Sequence, residues 1–333
     1  MAKRYVEISK KPAFMKITNV NIDGNASKRF LIVFRTNGCT YNLCTMCGFD
    51  QYAINPDLFR INKEHLLMQF RYGIQNAEFE KNSDIEQIDL LSLGSFLDDK
   101  EIDEDSRKQI MCMISKMPGI RKVMIESRTD FVNESCLKIL KNSLRPDQIL
   151  ELAVGVESAN KNIRNNILKK GLDWKSLEKV VIKCSHNSIE FQAYLLIKPQ
   201  TLSESKAIKD AVESAEKIVK LADKYNVSFR VSFQPVFIAR NTVLEKLFEE
   251  GKYDIINLWS VIEIIRRTHH MGIIHVGLND ENLSDNRRPR SCLLCTSKIR
   301  HLIEEFNANQ DIIVFDSLSC SCRDVWKKNL KKV

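Results

Sequence analysis

Six short apolar segments, separated by stretches of helical periodicity, constrain the fold of this 333-residue chain more than any other feature. The predicted strands are residues 30–34, 88–93, 123–125, 149–156, 191–197 and 227–233. The predicted helices are residues 62–81, 103–117, 133–144, 174–184 and 204–225. Apolar strands that alternate with amphipathic helices are typical of βαβ units, which place the strands side by side in a parallel sheet. The sequence therefore predicts an α/β fold.

Polar residues follow every predicted strand at its carboxyl end. A cysteine loop follows the first strand, and the later strands are followed by Gly94, Ser95, Glu126, Ser127, Arg128, Glu157, Ser158, Lys198 and Gln234. One such residue is most simply a helix cap or a surface group. In a parallel barrel, however, the carboxyl ends of the strands open on one mouth, where functional sites are built. Six polar ends in register therefore predict a partial (β/α)6 barrel with its site at the mouth.

Residues 35–50, RTNGCTYNLCTMCGFD, place Cys39, Cys44 and Cys47 in one loop directly after the first strand. Three thiolates leave a tetrahedral zinc ion one ligand short, and within the loop only Asp50 could supply the fourth. The same three thiolates can hold three irons of a [4Fe–4S] cluster and leave the fourth iron open to a chelating ligand. The spacing alone leaves both interpretations open: an open cluster, or half of a structural zinc site.

Two further cysteine pairs lie on either side of a helical stretch at residues 297–306. The four cysteines are Cys292, Cys295, Cys320 and Cys322. Two close pairs from one subdomain predict a closed four-thiolate site, which is the usual arrangement of a structural zinc ion. A second iron–sulfur cluster is the competing hypothesis. The remaining Cys112, Cys136 and Cys184 lie among apolar helical positions and are predicted to be core thiols.

Composition indicates a globular protein, with 44% hydrophobic and 28% charged residues. No apolar run approaches the length of a membrane span, and the first residues lack the apolar core of a signal peptide. The predicted location is therefore the cytoplasm, with no membrane partner. In that reducing compartment the ten cysteines indicate metal or cluster binding rather than disulfides. The formal net charge of +8 fits a polyanionic partner.

Three regions are predicted along the chain. Residues 1–28 are a basic N-terminal segment, either an arm or a lead-in strand; residues 29–240 are the barrel; and residues 241–333 are a helical, four-cysteine metal-binding region. The C-terminal cysteines are flanked by the basic residues Arg287, Arg288, Arg290, Lys327, Lys328, Lys331 and Lys332. Such runs are more often solvated faces, but around a small metal-tied module they would suit RNA phosphate.

The phrases CTMCGFD, LGSFLDDKE, IESRTDFV, VGVESANKNIR and VSFQPVFIARNTVLE resemble the archaeosine-biosynthesis radical SAM proteins, relatives of the radical SAM half of the elongator catalytic subunit. The runs PRSCLLC and FDSLSCSCRDVW resemble them as well, so the likeness spans about residues 30–326. The loop spacing here is C-x4-C-x2-C, whereas C-x3-C-x2-C is the commonest in the superfamily. The resemblance implies a [4Fe–4S] cluster on Cys39, Cys44 and Cys47, with S-adenosylmethionine bound along the strand ends. The implied cofactor-binding residues are Met46, Gly94, Ser95, Glu126, Ser127, Arg128, Glu157 and Ser158.

The resemblance also implies an activity. The cluster would cleave S-adenosylmethionine to a 5′-deoxyadenosyl radical, which would take a hydrogen atom from a lysine side chain attached to a tRNA base. Fragmentation of the neighbouring C–N bond would convert a lysine-bearing 7-deazaguanine into archaeosine. The implied partners are tRNA and an electron donor, and a lysine-transferring archaeosine synthase subunit is a further candidate.

Two alternatives to this function stay open. One is a radical SAM enzyme that acts on another nucleoside or on a small molecule. The other is a zinc-dependent RNA-binding protein without catalysis. No side chain of the chain itself is predicted to be catalytic.

Overall fold

The computed structural model describes residues 7–79, 82, 84–278 and 284–330, and an eight-stranded sheet organises that part of the chain. Its strands are β1 (Phe14–Ile22), β2 (Asn25–Val33), β3 (Ile85–Leu91), β4 (Lys122–Glu126), β5 (Ile149–Glu157), β6 (Glu190–Ile197), β7 (Phe229–Pro235) and β8 (Ile273–Val276). The strands lie side by side in chain order. β1 is antiparallel to β2, and every later pair of neighbours is parallel. The predicted α/β fold, a partial barrel with a C-terminal four-cysteine cluster, is confirmed.

Two of these strands lie outside the six that the sequence predicts. β1 resolves the choice left open for the N-terminal segment, since residues 14–22 form a lead-in strand along β2. β8 is only four residues long, so its apolar residues form too short a run to be recognised as a strand from the sequence. The sheet therefore extends past both ends of the predicted barrel region, 29–240. The division of the chain into three regions stays a prediction.

The helices are α1 (Lys63–Ala77), α2 (Glu104–Ser115), α3 (Glu134–Asn142), α4 (Trp174–His186), α5 (Glu204–Lys224), α6 (Val243–Glu249), α7 (Leu258–Thr268), α8 (Thr296–Asn309) and α9 (Cys322–Leu330). Six of these helices are preceded by a capping residue. Its side chain accepts a hydrogen bond from the backbone N–H two or three residues later in the chain, which satisfies one donor of the first turn. These capping residues are Asn62, Asp103, Asn133, Asp173, Thr242 and Asn257. Within the described ranges, none of the helices is long and apolar enough to cross a membrane.

Contacts across the lumen curl the sheet nearly into a barrel. Nη2 of Arg29 on β2 lies 2.8 Å from Nε2 of His275 on β8, although the two strands are at opposite ends of the parallel run. Nη2 of Arg230 on β7 donates to the carbonyl of Asn21 on β1, at 3.3 Å. The Asn21 amide in turn donates to the carbonyl of Ala308, at 2.8 Å, so α8 covers the gap between the first strands and the last one.

The two faces of the sheet differ in chemistry because alternate residues of a strand point to opposite sides. Phe30 and Leu90 belong to the apolar core that the helices cover. Their neighbours Arg29 and Asp89 form a buried ion pair, with 2.9 Å between Nη1 and Oδ2. Burial raises the pKa of Asp89, and the facing guanidinium of Arg29 opposes that shift. The lumen is therefore polar, unlike the apolar filling usual in a closed parallel barrel.

Breaking the Arg29–Asp89 pair tests how much this polar lumen contributes to stability. We expect Arg29→Met to lower the free energy of unfolding by about 3–5 kcal/mol, because it leaves a buried carboxylate without its cation. The double variant Arg29→Met with Asp89→Leu should lose less, since no charge remains unpaired. Urea unfolding followed by circular dichroism measures both losses. Equal losses in the single and double variants would contradict the assignment.

Candidate active site and metal centre

The cysteine loop, residues 35–50, follows β2 and is fixed to the segments that follow β5 and β6. Thr45 donates from its N–H and from its hydroxyl to the carbonyls of residues 168 and 167, at 3.1 and 3.0 Å. The hydroxyl of Tyr41 donates to the carbonyl of Lys169 at 2.7 Å. The side-chain amide of Gln200 donates to the Thr45 hydroxyl at 3.1 Å. The loop is thus held at the carboxyl ends of the strands, where the sequence predicts the site.

The three cysteines of this loop lie close enough to influence one another. Cys39 and Cys44 are half-buried, and Cys47 is exposed at the surface of the loop. Burial raises the pKa of Cys44. Although Cys47 has exposed surface, the protein around its thiol reduces its solvation and, together with Cys44 and Cys39, raises its pKa to about 12. A Cβ atom at Gly94 would stand 2.7 Å from Sγ of Cys39, so the space beside this thiol exists only because residue 94 has no side chain. The space that Gly94 leaves beside Cys39 fits a loop whose three thiolates are ligands of a cluster.

Glu101 ties the end of β3 to the cysteine loop, and the sequence did not single it out. One carboxylate oxygen accepts from the N–H of Ser95 at 2.7 Å, and the other accepts from the hydroxyl of Thr36 at 3.1 Å. Burial raises the pKa of Glu101 to about 7. The hydroxyl of Ser95 also accepts from the N–H of Arg128, at 3.1 Å, which links the ends of β3 and β4. The predicted pair Gly94 and Ser95 therefore lies directly beside the loop.

Lys170 is the second residue of the mouth that the sequence did not single out. Its ammonium group lies 2.6 Å from a carboxylate oxygen of Glu157 at the end of β5. Burial alone would lower the pKa of Lys170, but Glu157 and the thiol of Cys44 raise it above its usual value. The neighbouring Glu126 is half-buried, and its loss of solvation raises its pKa to about 7 against the influence of Lys170. The predicted Glu126 and Glu157 thus face one shared cation near the cysteine loop.

Arg128 stacks over the ring of Tyr41, with its guanidinium carbon 3.7 Å from the ring centroid. It donates to Asp130 at 2.8 Å and to the carbonyl of Lys170 at 3.0 Å. The predicted Arg128 is therefore at the mouth, but its side chain is held by the protein and clamps the cysteine loop. Met46 packs against an apolar cluster that includes Val236 and Leu244 after β7.

Two predicted cofactor-binding residues have buried hydroxyls that already donate to other groups of the protein. The hydroxyl of Ser158 is buried and donates to a carboxylate oxygen of Asp210 on α5 at 2.8 Å. The hydroxyl of Ser127 is buried and donates to the carbonyl of Arg128 at 3.1 Å. The sequence shows that these residues follow strands, but it does not show which side of the sheet their hydroxyls face. Their role in cofactor binding stays a prediction.

The four C-terminal cysteines gather into one compact group. All four Sγ atoms lie within 4.8 Å of one another, and three of the contacts measure 3.4, 3.5 and 3.5 Å. Burial opposes ionisation of Cys292, but hydrogen bonds from Cys295 and the other two thiols lower its pKa to about 7. The indole N–H of Trp259 on α7 donates to Sγ of Cys322 at 3.2 Å. The predicted four-thiolate metal site is therefore assembled geometrically.

The predicted basic rim of this metal site is only partly available to a ligand. Arg287 forms an ion pair with Glu245 and lies 3.4 Å from Glu249, so its charge is balanced within the protein. Lys327 and Lys328 lie in the last turn of α9. The predicted Lys331 and Lys332 lie outside the described residues.

The partial barrel with a three-cysteine loop at its mouth is the arrangement that the sequence resemblance to radical SAM proteins implies. The chain belongs to the same family as the uncharacterized protein MJ0550 of Methanocaldococcus jannaschii, to which it is 30% identical over 335 residues, covering 98% of this chain and 88% of the relative. It is also similar to the archaeosine synthase subunits beta of Methanosarcina acetivorans and Thermococcus kodakarensis. The first is 28% identical over 93% of this chain and 87% of the relative, and the second is 26% identical over 92% and 93%. No family model matches the chain.

Among solved structures the chain is similar to Elp3 of Methanocaldococcus infernus lacking its N-terminal residues. The TM-score is 0.51 at 14% identity, and the match covers 73% of this chain and 59% of that chain. At this identity the likeness shows the fold alone. The resemblance to the archaeosine-biosynthesis radical SAM proteins found in the sequence is confirmed by the two archaeosine synthase subunits beta among the relatives.

Removing one thiol of the four-cysteine group tests whether it holds a single metal ion. We expect Cys320→Ser to lose most of one bound metal equivalent per chain and to melt at a lower temperature, because metal-binding energy contributes to folding. Elemental analysis of the purified protein and a thermal melt measure the two effects. Cys112→Ser is the matched control and should change neither, because Cys112 lies outside both cysteine groups and is exposed. The prediction that Cys112 is a core thiol is wrong, whereas Cys136 and Cys184 are buried as predicted. Full metal content in Cys320→Ser would contradict the site.

Proposed function

We propose that this protein is a radical SAM enzyme that completes archaeosine formation in tRNA, by breaking a C–N bond in the lysine moiety of a lysine-bearing 7-deazaguanine. The observation that carries the proposal is the three-thiol loop, fixed at the barrel mouth beside Gly94 and the Glu157–Lys170 pair. The archaeosine synthase subunits beta among the relatives support the substrate. Their name also supports a second subunit as a partner.

Cys39, Cys44 and Cys47 would hold three irons of a [4Fe–4S] cluster, and the strand ends around Gly94 and Glu126 would hold S-adenosylmethionine. When bound, these groups supply one-electron chemistry at an unactivated carbon. The contribution of the chain itself is position and charge. The bonds of Thr45 and Tyr41 keep the thiols over the mouth, and Lys170 places a positive charge beside Cys44 that lowers its pKa against the effect of burial.

The zinc-dependent RNA-binding alternative requires Asp50 to join the three loop cysteines around one ion. In the described part of the chain, the group whose ligand atoms converge on one ion is the C-terminal one, and Asp50 is exposed. The loop thiols are not among the converging groups of the described residues, which favours a cluster, in which each thiolate binds a different iron. The alternative enzyme, acting on another nucleoside or a small molecule, shares this site and differs in substrate only.

We infer that the C-terminal cysteines bind one structural zinc ion. Zinc–sulfur bonds of about 2.3 Å in a tetrahedron separate the sulfurs by about 3.8 Å. The measured contacts of 3.4–3.5 Å are close to that value. Four protein ligands leave no open position for a substrate. Iron–sulfur ligands would lie farther apart, because each binds a separate iron.

Anaerobic reconstitution separates these metal assignments. We expect about four irons on the barrel loop and about one zinc on the C-terminal cysteines. Replacing Cys39, Cys44 and Cys47 with Ala together should remove the iron and abolish reductive formation of 5′-deoxyadenosine from S-adenosylmethionine, with the zinc retained. Formation of 5′-deoxyadenosine by the triple variant would refute the cluster assignment. Finding about eight irons and no zinc would replace the zinc ion with a second cluster.

The substrate is tested with tRNA that carries the lysine-bearing 7-deazaguanine, together with S-adenosylmethionine and a reductant. Mass spectrometry of the digested tRNA should show loss of the lysine-derived fragment and appearance of an amidine. The free modified nucleoside should turn over far more slowly, because the basic protein surface attracts the polymer. Equal turnover of the free nucleoside would favour the small-molecule alternative.

A further inference from the structure

A groove of about 470 Å³ lies on the outer wall of the barrel between α4 and α5. It begins at Ala159, two residues after Glu157 at the mouth, and the N–H of Ala159 donates to the hydroxyl of Ser214 on α5 at 2.8 Å. Along α5 it continues past Lys217 and Lys220. The groove therefore begins on the outer wall within two residues of Glu157 at the rim of the candidate active site.

Three lysines give the groove uncompensated positive charge. Lys161, Lys217 and Lys220 are exposed, and in the described part of the chain none of them forms an ion pair. Other exposed lysines do have partners: Lys138 lies 3.3 Å from Glu134, and Lys224 at the far end of the groove lies 2.7 Å from a carboxylate oxygen of Glu178. The five cationic residues that line the groove outnumber its two carboxylates, Asp173 and Glu178, so the groove carries a net positive charge. Arg287 near the metal site, in contrast, is already balanced by Glu245.

The spacing of these charges suits a nucleic-acid strand. Lys217 and Lys220 are three residues apart, so they lie on one face of α5. At 1.5 Å of rise per residue, about 4.5 Å of helix axis separates them. Two long, flexible lysine side chains at this separation can contact neighbouring phosphates of one strand.

An aromatic side chain lies among the cations. Trp174, the first residue of α4, lines the groove and is half-buried, and the guanidinium carbon of Arg164 lies 5.6 Å from its ring centroid. Aromatic rings beside a positively charged groove offer stacking surfaces to nucleobases. The two other tryptophans, Trp259 and Trp326, are buried in the core.

We propose that this groove, formed by Lys161, Trp174, Lys217 and Lys220, binds the phosphate backbone of the tRNA substrate and leads it to the barrel mouth. The proposal rests on the proposed function and adds the surface that holds the polymer. Each lysine that contacts a phosphate releases counterions, so the groove contributes to the salt dependence of binding.

The test compares two triple variants with equal loss of charge. The groove variant carries Lys161→Gln, Lys217→Gln and Lys220→Gln. The control variant replaces three lysines on the wall formed by α2 and α3: Lys108→Gln, Lys116→Gln and Lys138→Gln. Affinity for total tRNA is measured by fluorescence anisotropy at several salt concentrations. We expect the groove variant to bind tRNA about ten- to a hundredfold more weakly at low salt. The slope of the logarithm of its affinity against the logarithm of the salt concentration should be less steep by about two to three.

The control variant should keep the wild-type slope, because it loses net charge without losing contacts. Binding of tRNA should also quench tryptophan fluorescence in the wild type but not in Trp174→Phe.

If the groove variant matches the wild type in slope and affinity, the groove assignment is wrong while the proposed function stands. If both variants weaken equally, net charge and not the groove governs binding, which also overturns the assignment. A wild type that binds tRNA without salt dependence overturns the groove and the tRNA substrate together. Formation of 5′-deoxyadenosine without tRNA should be the same in both variants, which separates folding defects from lost contacts.

Discussion

The ion pair between Lys170 and Glu157 fixes the segment on which the cysteine loop rests. The two side chains are 14% and 16% exposed, and their charged atoms are 2.6 Å apart. The carbonyls of residues 167–169, directly before Lys170, receive the hydrogen bonds of Thr45 and Tyr41. A Cβ at Gly155 would stand 2.5 Å from the Lys170 ammonium, so the strand also lacks a side chain where the lysine passes. The position of the three thiols therefore depends on one partly buried pair, whose disruption would leave a charge without its partner.

Much of the fold could be predicted because apolar periodicity reports burial directly. The residues of the site were harder to predict, and the reasons differ from one to the next. Lys170 is one of 51 lysines and arginines, and only the folded chain shows that it meets Glu157. Glu101 stands in an acidic stretch with Asp98 and Asp99, and sequence cannot tell which of these carboxylates turns inward. Local sequence patterns identify where strands end. The direction in which a side chain points after the strand end depends on tertiary contacts, which the local sequence does not reveal.

The cysteines were easier to predict than the other residues of the site, because their spacing alone indicates two metal-binding groups. Cys292 and Cys295 lie in one turn, where the N–H of Cys295 donates to the carbonyl of Cys292, so two thiols converge through local structure. The second pair is brought in by the fold, and the 3.5 Å contact between Cys295 and Cys322 reports that approach. The sequence predicted this closed four-thiolate site, but it left a second cluster open, because a cluster and a zinc ion use the same residues at similar spacings.

The two cysteine groups are joined by one short segment, residues 198–204. Gln200 in this segment donates to Thr45 of the cysteine loop, and Glu204 accepts from the N–H of Asn257 at the start of α7. The same helix carries Trp259, which donates to Cys322 of the metal centre. Thr201 has a φ of +75°, in a region that β-branched residues rarely adopt, so the segment holds a strained backbone that its neighbours must enforce. A zinc ion with four thiolate ligands, as proposed for this centre, offers no position for chemistry. Its expected effect on the mouth is structural, because it fixes α7, which in turn holds the segment that positions the loop.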